Sequence, residues 1–312
     1  FSRITPIVDL NDAVKNAELI IEVVPEIMDL KKKVYEELDK AAAPEVIFAS
    51  NTSTLPITEI ANTTSRPEKF IGIHFFNPPQ LMKLVEVIPG EKTSQQVTDL
   101  TLDYVNSVNK QAVVCRKDVP GFIINRLFIP MVHEACFLKD RTGATLEEID
   151  SAVKLKLGFP MGIFELADFT GMDVIHKATT EMYLRDKKVI KPHPLVEKMF
   201  DEKKLGQKSG EGYYKYSDDK YERVSLSEEL AAKCNPIQIV ANILNNAAWL
   251  ITNGASDIEE IEKAARLGLG LKKPLFETAK EIGIDKIVEE LNKLADEHGE
   301  FYKPDPLLVS MQ

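Results

Sequence analysis

A histidine set in an apolar strand, Ile71-Gly-Ile-His-Phe-Phe-Asn-Pro-Pro79, is the side chain in this 312-residue sequence best suited to moving a proton near neutral pH. The Asn-Pro-Pro that follows stops the strand and puts His74 at the carboxyl edge of a sheet, where open α/β sheets bind their ligands. A second run, Leu84-Val-Glu-Val-Ile88, carries an acid between apolar neighbours, and a glutamate buried in a strand needs a partner. Paired, His74 and Glu86 would make a general base whose orientation is set by the carboxylate. By type and spacing alone the two have a plainer reading as well: a satisfied structural histidine, and a charge facing solvent at a sheet edge.

Such a pair needs a sheet to hold it. From residue 1 to about 117, short apolar runs alternate with amphipathic stretches. The spacing predicts strands over 18–24, 46–50, 70–76, 84–88 and 111–115. It predicts helices over 12–17, 93–108 and 30–42, the last with Leu30, Val34, Leu38 and Ala41 on one face. That alternation means an α/β layered sheet, at least partly parallel: half of a doubly wound domain. No G-x-G-x-x-G precedes the first strand, and no ribose-reading acid follows one, so the first βαβ unit of such a domain is absent from the sequence.

Beyond Pro120-Gly121 the pattern turns helical. Helices are expected over 122–139, 146–156, 163–183 with a break, and 195–203, with a strand-like end piece at 213–216: an all-α domain. Residues from about 144 then recur 112 positions later. Glu147-Glu-Ile149 matches Glu259-Glu-Ile261, Leu157-Gly158 matches Leu269-Gly270, Phe164-Glu165 matches Phe276-Glu277, and Lys191-Pro192 matches Lys303-Pro304. So many identities at one offset mean a duplicated helical module joined by a polar linker. Two copies would pack about a pseudo-twofold axis, as a homodimer does. The expected domains are 1–118, 119–216 and 236–312, with 217–235 as linker.

Composition narrows the function classes. A net charge of −10 argues against nucleic acid as a partner, and no apolar stretch approaches the length of a membrane span. The three cysteines, Cys115, Cys136 and Cys234, lie far apart with no C-x-x-C spacing, which points to free thiols, a reducing compartment and a cytoplasmic location. No metal site is read. The chain opens without Met or a signal-peptide pattern, and its second module stops where the first continues; both ends are expected to be internal to a longer protein.

Six segments in order resemble the motif series of the (S)-3-hydroxyacyl-CoA dehydrogenase family: Phe48-Ala-Ser-Asn-Thr-Ser-Thr-Leu55, His74-Phe-Phe-Asn-Pro-Pro79, Met82-Lys-Leu-Val-Glu-Val-Ile88, Asp118-Val-Pro-Gly-Phe-Ile-Ile-Asn-Arg-Leu127, Leu157-Gly-Phe-Pro-Met-Gly-Ile-Phe-Glu165 and Lys208-Ser-Gly-Glu-Gly-Tyr-Tyr214. The resemblance covers about 17–216, and the duplicated tail is similar to a repeat found in some members. It implies an incomplete Rossmann-like domain followed by two copies of the family's helical domain. It also implies an NAD-dependent oxidoreductase of fatty-acid or butanoate metabolism acting on acyl-CoA substrates. His74 resembles the base that removes the 3-hydroxyl proton, and Glu86 the acid that orients it. Ser53 and Asn125 resemble the groups that hold the substrate oxygens. Glu26, Lys31 and Asn77 resemble positions that contact the dinucleotide, a task Ser53 shares. Each has a plainer reading: turn residues for Ser53 and Asn77, an exposed helix charge for Lys31, and a helix-start polar group for Asn125.

The second copy has Ile237 where the first has Asn125, so it is expected to be a structural partner without a site of its own. Without the glycine-rich turn, the choice between NAD and NADP is not written in these residues, and a polypeptide starting at Phe1 is expected to bind the dinucleotide very weakly. The oligomer implied is a homodimer or a pseudo-dimeric monomer built through the helical domains. In some relatives this tail leads into an enoyl-CoA hydratase domain; none is contained in the sequence. Two rival readings remain: a non-catalytic dimerisation or assembly fragment, and another two-domain dehydrogenase, which would use a lysine that is not found beside His74.

Overall fold

The structure, a computed structural model, describes residues 3–217 and 220–312. The chain divides into two compact units, one ending at Phe122 and the other Ile123–Gln312.

The first unit runs α1 (Leu10–Val14), β1 (Leu19–Glu22), α2 (Met28–Ala41), β2 (Ile47–Ser50), α3 (Ile57–Ala61), β3 (Phe70–Phe75), β4 (Leu84–Pro89), α4 (Gln95–Ser107) and β5 (Gln111–Val114). Its five strands lie in sequence order. β1, β2 and β3 are parallel, β4 runs back against β3, and β5 is parallel to β4. The reversal follows from chain length, since the short stretch between β3 and β4 cannot hold the crossover that a parallel pair needs. β3 and β4 are buried along nearly their whole length, as their continuous apolar runs require. Ala49, Ile71, Ile73, Val85 and Val87 from the sheet pack with Val97 and Val105 of α4. α2 carries Asp29 in its first turn and Lys40 in its last, matching the helix dipole. Its buried Tyr35 donates to the carbonyl of Ala49 at 2.8 Å. Gly72 lets α3 close on the sheet, because a Cβ there would meet Ile57 Cδ1 at 2.8 Å.

The second unit is helical: α5 (Ile124–Thr142), α6 (Leu146–Lys156), α7 (Ile163–Thr170), α8 (Met172–Arg185) and α9 (Pro194–Asp201), then β6 (Tyr216–Ser217) and β7 (Lys220–Tyr221). It continues through α10 (Glu228–Ala232), α11 (Ile237–Thr252), α12 (Ile258–Gly268), α13 (Leu275–Ile282), α14 (Ile284–His298) and α15 (Pro306–Ser310). The break expected within 163–183 falls at Gly171, whose φ of 100° separates α7 from α8. The end piece at 213–216 is strand only from Tyr216. From Ser227 onward the stretch read as a linker packs on the first helical set: α10 packs against α6, Ser227 N–H donates to Ser151 Oγ at 3.3 Å, and Lys156 Nζ donates to the carbonyl of Cys234 at 2.9 Å.

Fully buried Asp150 ties α6 to the start of α7. It accepts from the Phe164 and Glu165 amides at 2.8 and 3.2 Å and from the Tyr214 hydroxyl at 2.9 Å. Burial pushes its carboxyl up to about 7, and nearby Glu165 acts in the same direction against those donors. A carboxyl raised on folding contributes stability at low pH that is lost as pH climbs from 3.8 towards about 7. Thermal melts across this range should therefore show a decline that is smaller in Asp150→Asn than in the wild type. Equal declines would rule Asp150 out as a source. Comparing the two proteins cancels the contributions of buried Glu134, also raised to about 7, and buried His133, lowered to about 3.

Candidate active site

Because β1, β2 and β3 are parallel and β4 returns, the ends of the first three strands and the start of the fourth share one edge of the sheet. That edge holds four buried polar side chains: Glu22, Ser50, His74 and Glu86. His74 and Glu86 are register partners across β3 and β4, which directs their side chains to the same face. His74 Nδ1 lies 2.7 Å from Glu86 Oε2, with 5% of the histidine and none of the glutamate exposed. An ionised carboxylate can only accept, so the Nδ1 proton faces Glu86 and the lone pair of the neutral ring is on Nε2. The imidazole packs against Phe76, ring centroids 4.5 Å apart, and beside Phe122 at 6.1 Å. This is an oriented base backed by a carboxylate that can stabilise the imidazolium once a proton arrives.

A second cluster lies beyond β1 and β2. Lys31, 1% exposed, donates to Glu22 Oε1 at 2.7 Å and to the carbonyl of Val24 at 3.2 Å, and stands 3.4 Å from Glu26 Oε2. Ser50 Oγ donates to Glu22 Oε2 at 2.8 Å. Glu26 Oε1 accepts from Thr52 Oγ1 at 2.6 Å and from the amides of Ser53 and Thr54 at 2.9 and 3.2 Å. Asn51 bridges outward: its amide donates to the carbonyl of Glu22 at 2.9 Å, and its side-chain oxygen accepts from the amide of Phe75 at 2.8 Å. That clamp holds the peptide immediately after His74.

The structure thus brings His74 to Glu86, and Glu26 to both Lys31 and the turn carrying Ser53. Lys31 is not the exposed helix charge of its plainer reading; it is buried in an ion-paired network. Ser53 is half-buried, Asn77 is exposed just past β3, and Asn125 is half-buried in the first turn of α5, within the second unit. Glu22 and Asn51 were not picked out from the sequence. Glu22 had a legible signal, a lone acid inside an apolar strand. Asn51 had none, since its partner is set by where two strands end.

The residues at this edge fit the nicotinamide–ribose part of a dinucleotide. Glu26 is a partly exposed carboxylate able to accept from ribose hydroxyls, Asn77 offers an exposed carboxamide, and Val23 and Ile27 expose aliphatic side chains, 69% and 56% accessible, on the loop after β1.

Comparison with known proteins gives a consistent result. A family model described as "3-hydroxyacyl-CoA dehydrogenase, NAD binding domain" matches residues 1–119. The model "3-hydroxyacyl-CoA dehydrogenase, C-terminal domain" matches 121–216 and again 238–312. The chain is 43% identical over 217 residues to the mitochondrial hydroxyacyl-coenzyme A dehydrogenase of Rattus norvegicus, covering 69% of each chain. It is 43% identical over 205 residues to a 3-hydroxybutyryl-CoA dehydrogenase of Clostridioides difficile, covering 65% of this chain and 72% of the relative. The crystal structure of 3-hydroxybutyryl-CoA dehydrogenase from Escherichia coli K12 superposes with a TM-score of 0.86 at 26% identity, over 99% of this chain and 84% of that one.

Proposed function

Since the chain belongs to the 3-hydroxyacyl-CoA dehydrogenase family, we propose that it interconverts (S)-3-hydroxyacyl-CoA and 3-oxoacyl-CoA with NAD as the redox partner. The observation that carries this reading is the buried His74–Glu86 pair, 2.7 Å apart at the carboxyl edge of the sheet. In the oxidative direction His74 Nε2 takes the proton of the 3-hydroxyl, and Glu86 stabilises the resulting imidazolium through Nδ1–H. In reduction the same imidazolium returns the proton to the nascent alkoxide. NAD, when bound, supplies the acceptor for the hydride that leaves C3.

Ser53 and Asn125 hold the substrate oxygens, where charge changes during the reaction. Glu26 and Asn77 face the dinucleotide. Lys31 serves that site through the two carboxylates it holds. The test is direct: NADH oxidation by the full-length protein should depend on an added 3-oxoacyl-CoA such as acetoacetyl-CoA. Absence of that dependence across chain lengths would leave the assembly reading in its place. Retention of His74, Glu86, Ser53 and Asn125 together counts against that alternative.

We read the two helical sets as duplicate modules. In support, α12 and α13 repeat α6 and α7 at the 112-residue offset. Glu262, the counterpart of Asp150, accepts from the amide of Phe276, the counterpart of Phe164, at 2.8 Å. His193 and Asp305, again 112 apart, each cap the helix that follows. Arg126 stacks 3.3 Å from the Trp249 ring centroid, while Arg141 bonds Gln238 at the opposite ends of α5 and α11. Those helices therefore run antiparallel, consistent with a pseudo-twofold axis perpendicular to them. On this reading the interface between modules is met within one chain, and a monomer is the expected oligomeric state. Among the described residues no helix is long and apolar enough to cross a membrane. The three buried free cysteines support a reducing compartment, for which the cytoplasm is our reading.

A further inference from the structure

Glu26 offers more than a contact for a dinucleotide. We propose that it is a positioning residue for Ser53, building the turn that presents this serine to the acyl-CoA substrate; the inference rests on the function proposed above. One carboxylate oxygen, Oε1, accepts from Thr52 Oγ1 at 2.6 Å, from the Ser53 amide at 2.9 Å and from the Thr54 amide at 3.2 Å, with Thr54 Oγ1 at 3.4 Å. Hydrogen bonds to an ionised acceptor are the strong ones, so this oxygen fixes the backbone on both sides of the Ser53 side chain.

The carboxylate is itself held. Its second oxygen stands 3.4 Å from Lys31 Nζ, and that ammonium is anchored by Glu22 at 2.7 Å. Glu22 in turn accepts from Ser50 Oγ at the end of β2. The turn is therefore tied to β1, β2 and the first turns of α2 at once. Because Oε1 is committed to the turn, the loss of Glu26 should fall first on the placement of Ser53.

A double-mutant cycle with Glu26→Gln and Ser53→Ala tests this in the full-length protein, reading kcat and KM for acetoacetyl-CoA, and the NADH dissociation constant by fluorescence. Glu26→Gln should lower kcat/KM for the acyl substrate about tenfold, the scale of one hydrogen bond to a charged group. The tenfold effect should largely vanish in the Ser53→Ala background, whereas any loss of NADH affinity from the dinucleotide contact of Glu26 should persist there. Additive losses would overturn the proposal, as would a tenfold weaker NADH affinity with kcat intact. Should Glu26→Gln fail to fold, Glu26→Asp keeps the charge one methylene short, and the same coupling to Ser53→Ala is required of it. A wild-type protein that does not turn over 3-oxoacyl-CoA fails the functional reading itself, an outcome distinct from either result of the cycle.

Discussion

Replacing His74 with glutamine is expected to lower kcat by about 10²–10⁴-fold, the range over which a positioned general base acts. Glutamine suits the experiment because it separates chemistry from folding. Its amide can still donate to Glu86, so the carboxylate, with no exposed surface, keeps a partner and the large cost of an orphaned buried charge is avoided. Its bulk also stays against Phe76, which now packs 4.5 Å from the imidazole. What glutamine cannot do is accept the substrate's proton. The melting temperature should therefore move by only a few degrees (~1 kcal/mol or less), and NADH affinity should remain near that of the wild type. Turnover within a few-fold of the wild type would remove His74 from the role of base.

The sheet was readable because its strands are short apolar runs separated by polar turns, and the burial of β3 and β4 along their length is what those runs demand. The histidine stood out as the side chain in such a run that can take up and release a proton near neutral pH. The reversal at β4 was not readable from pattern alone; the length of the 76–83 connection decides it. α3 and α10, five residues each, are too short to show a period and are held by what they pack against. The polar composition around 217–235 suggested a linker, yet Ala231 and Cys234 are buried there, a tertiary choice that composition does not encode.

The network around Lys31 was hidden for a related reason. Its partners, Glu22, Glu26 and the 52–54 turn, are spread over some thirty residues and meet only when β1 and β2 pair. A lysine at the start of an amphipathic helix looks like a surface charge until that pairing closes over it. The Asn51 clamp on the amide of Phe75 depends likewise on register, because β2 ends at Ser50 opposite Gly72 while β3 runs on to Phe75. Residue types could nominate the site; register and strand order assemble it.

Exchanging Glu86 for glutamine should cost on the order of 10²-fold or more in kcat, by a route that differs from the loss of the base itself. Glu86 is fully buried, and its Oε2 now dictates that Nδ1 carries the ring proton. An amide imposes no such rule. If its oxygen faces Nδ1, the tautomer survives, but the neutral partner gives the imidazolium far less stabilisation in a buried setting. If its NH₂ faces Nδ1, the ring proton moves to Nε2, and the nitrogen that should accept the 3-hydroxyl proton becomes a donor. Both orientations lower the rate, and neither touches the dinucleotide residues. A fall in kcat with unchanged NADH binding is therefore the expected signature. Combined with His74→Gln, the Glu86 exchange should add little further loss, because once the base is gone there is no tautomer left to set. Full additivity of the two losses would mean that Glu86 acts on the reaction independently of His74, and the dyad would have to be abandoned.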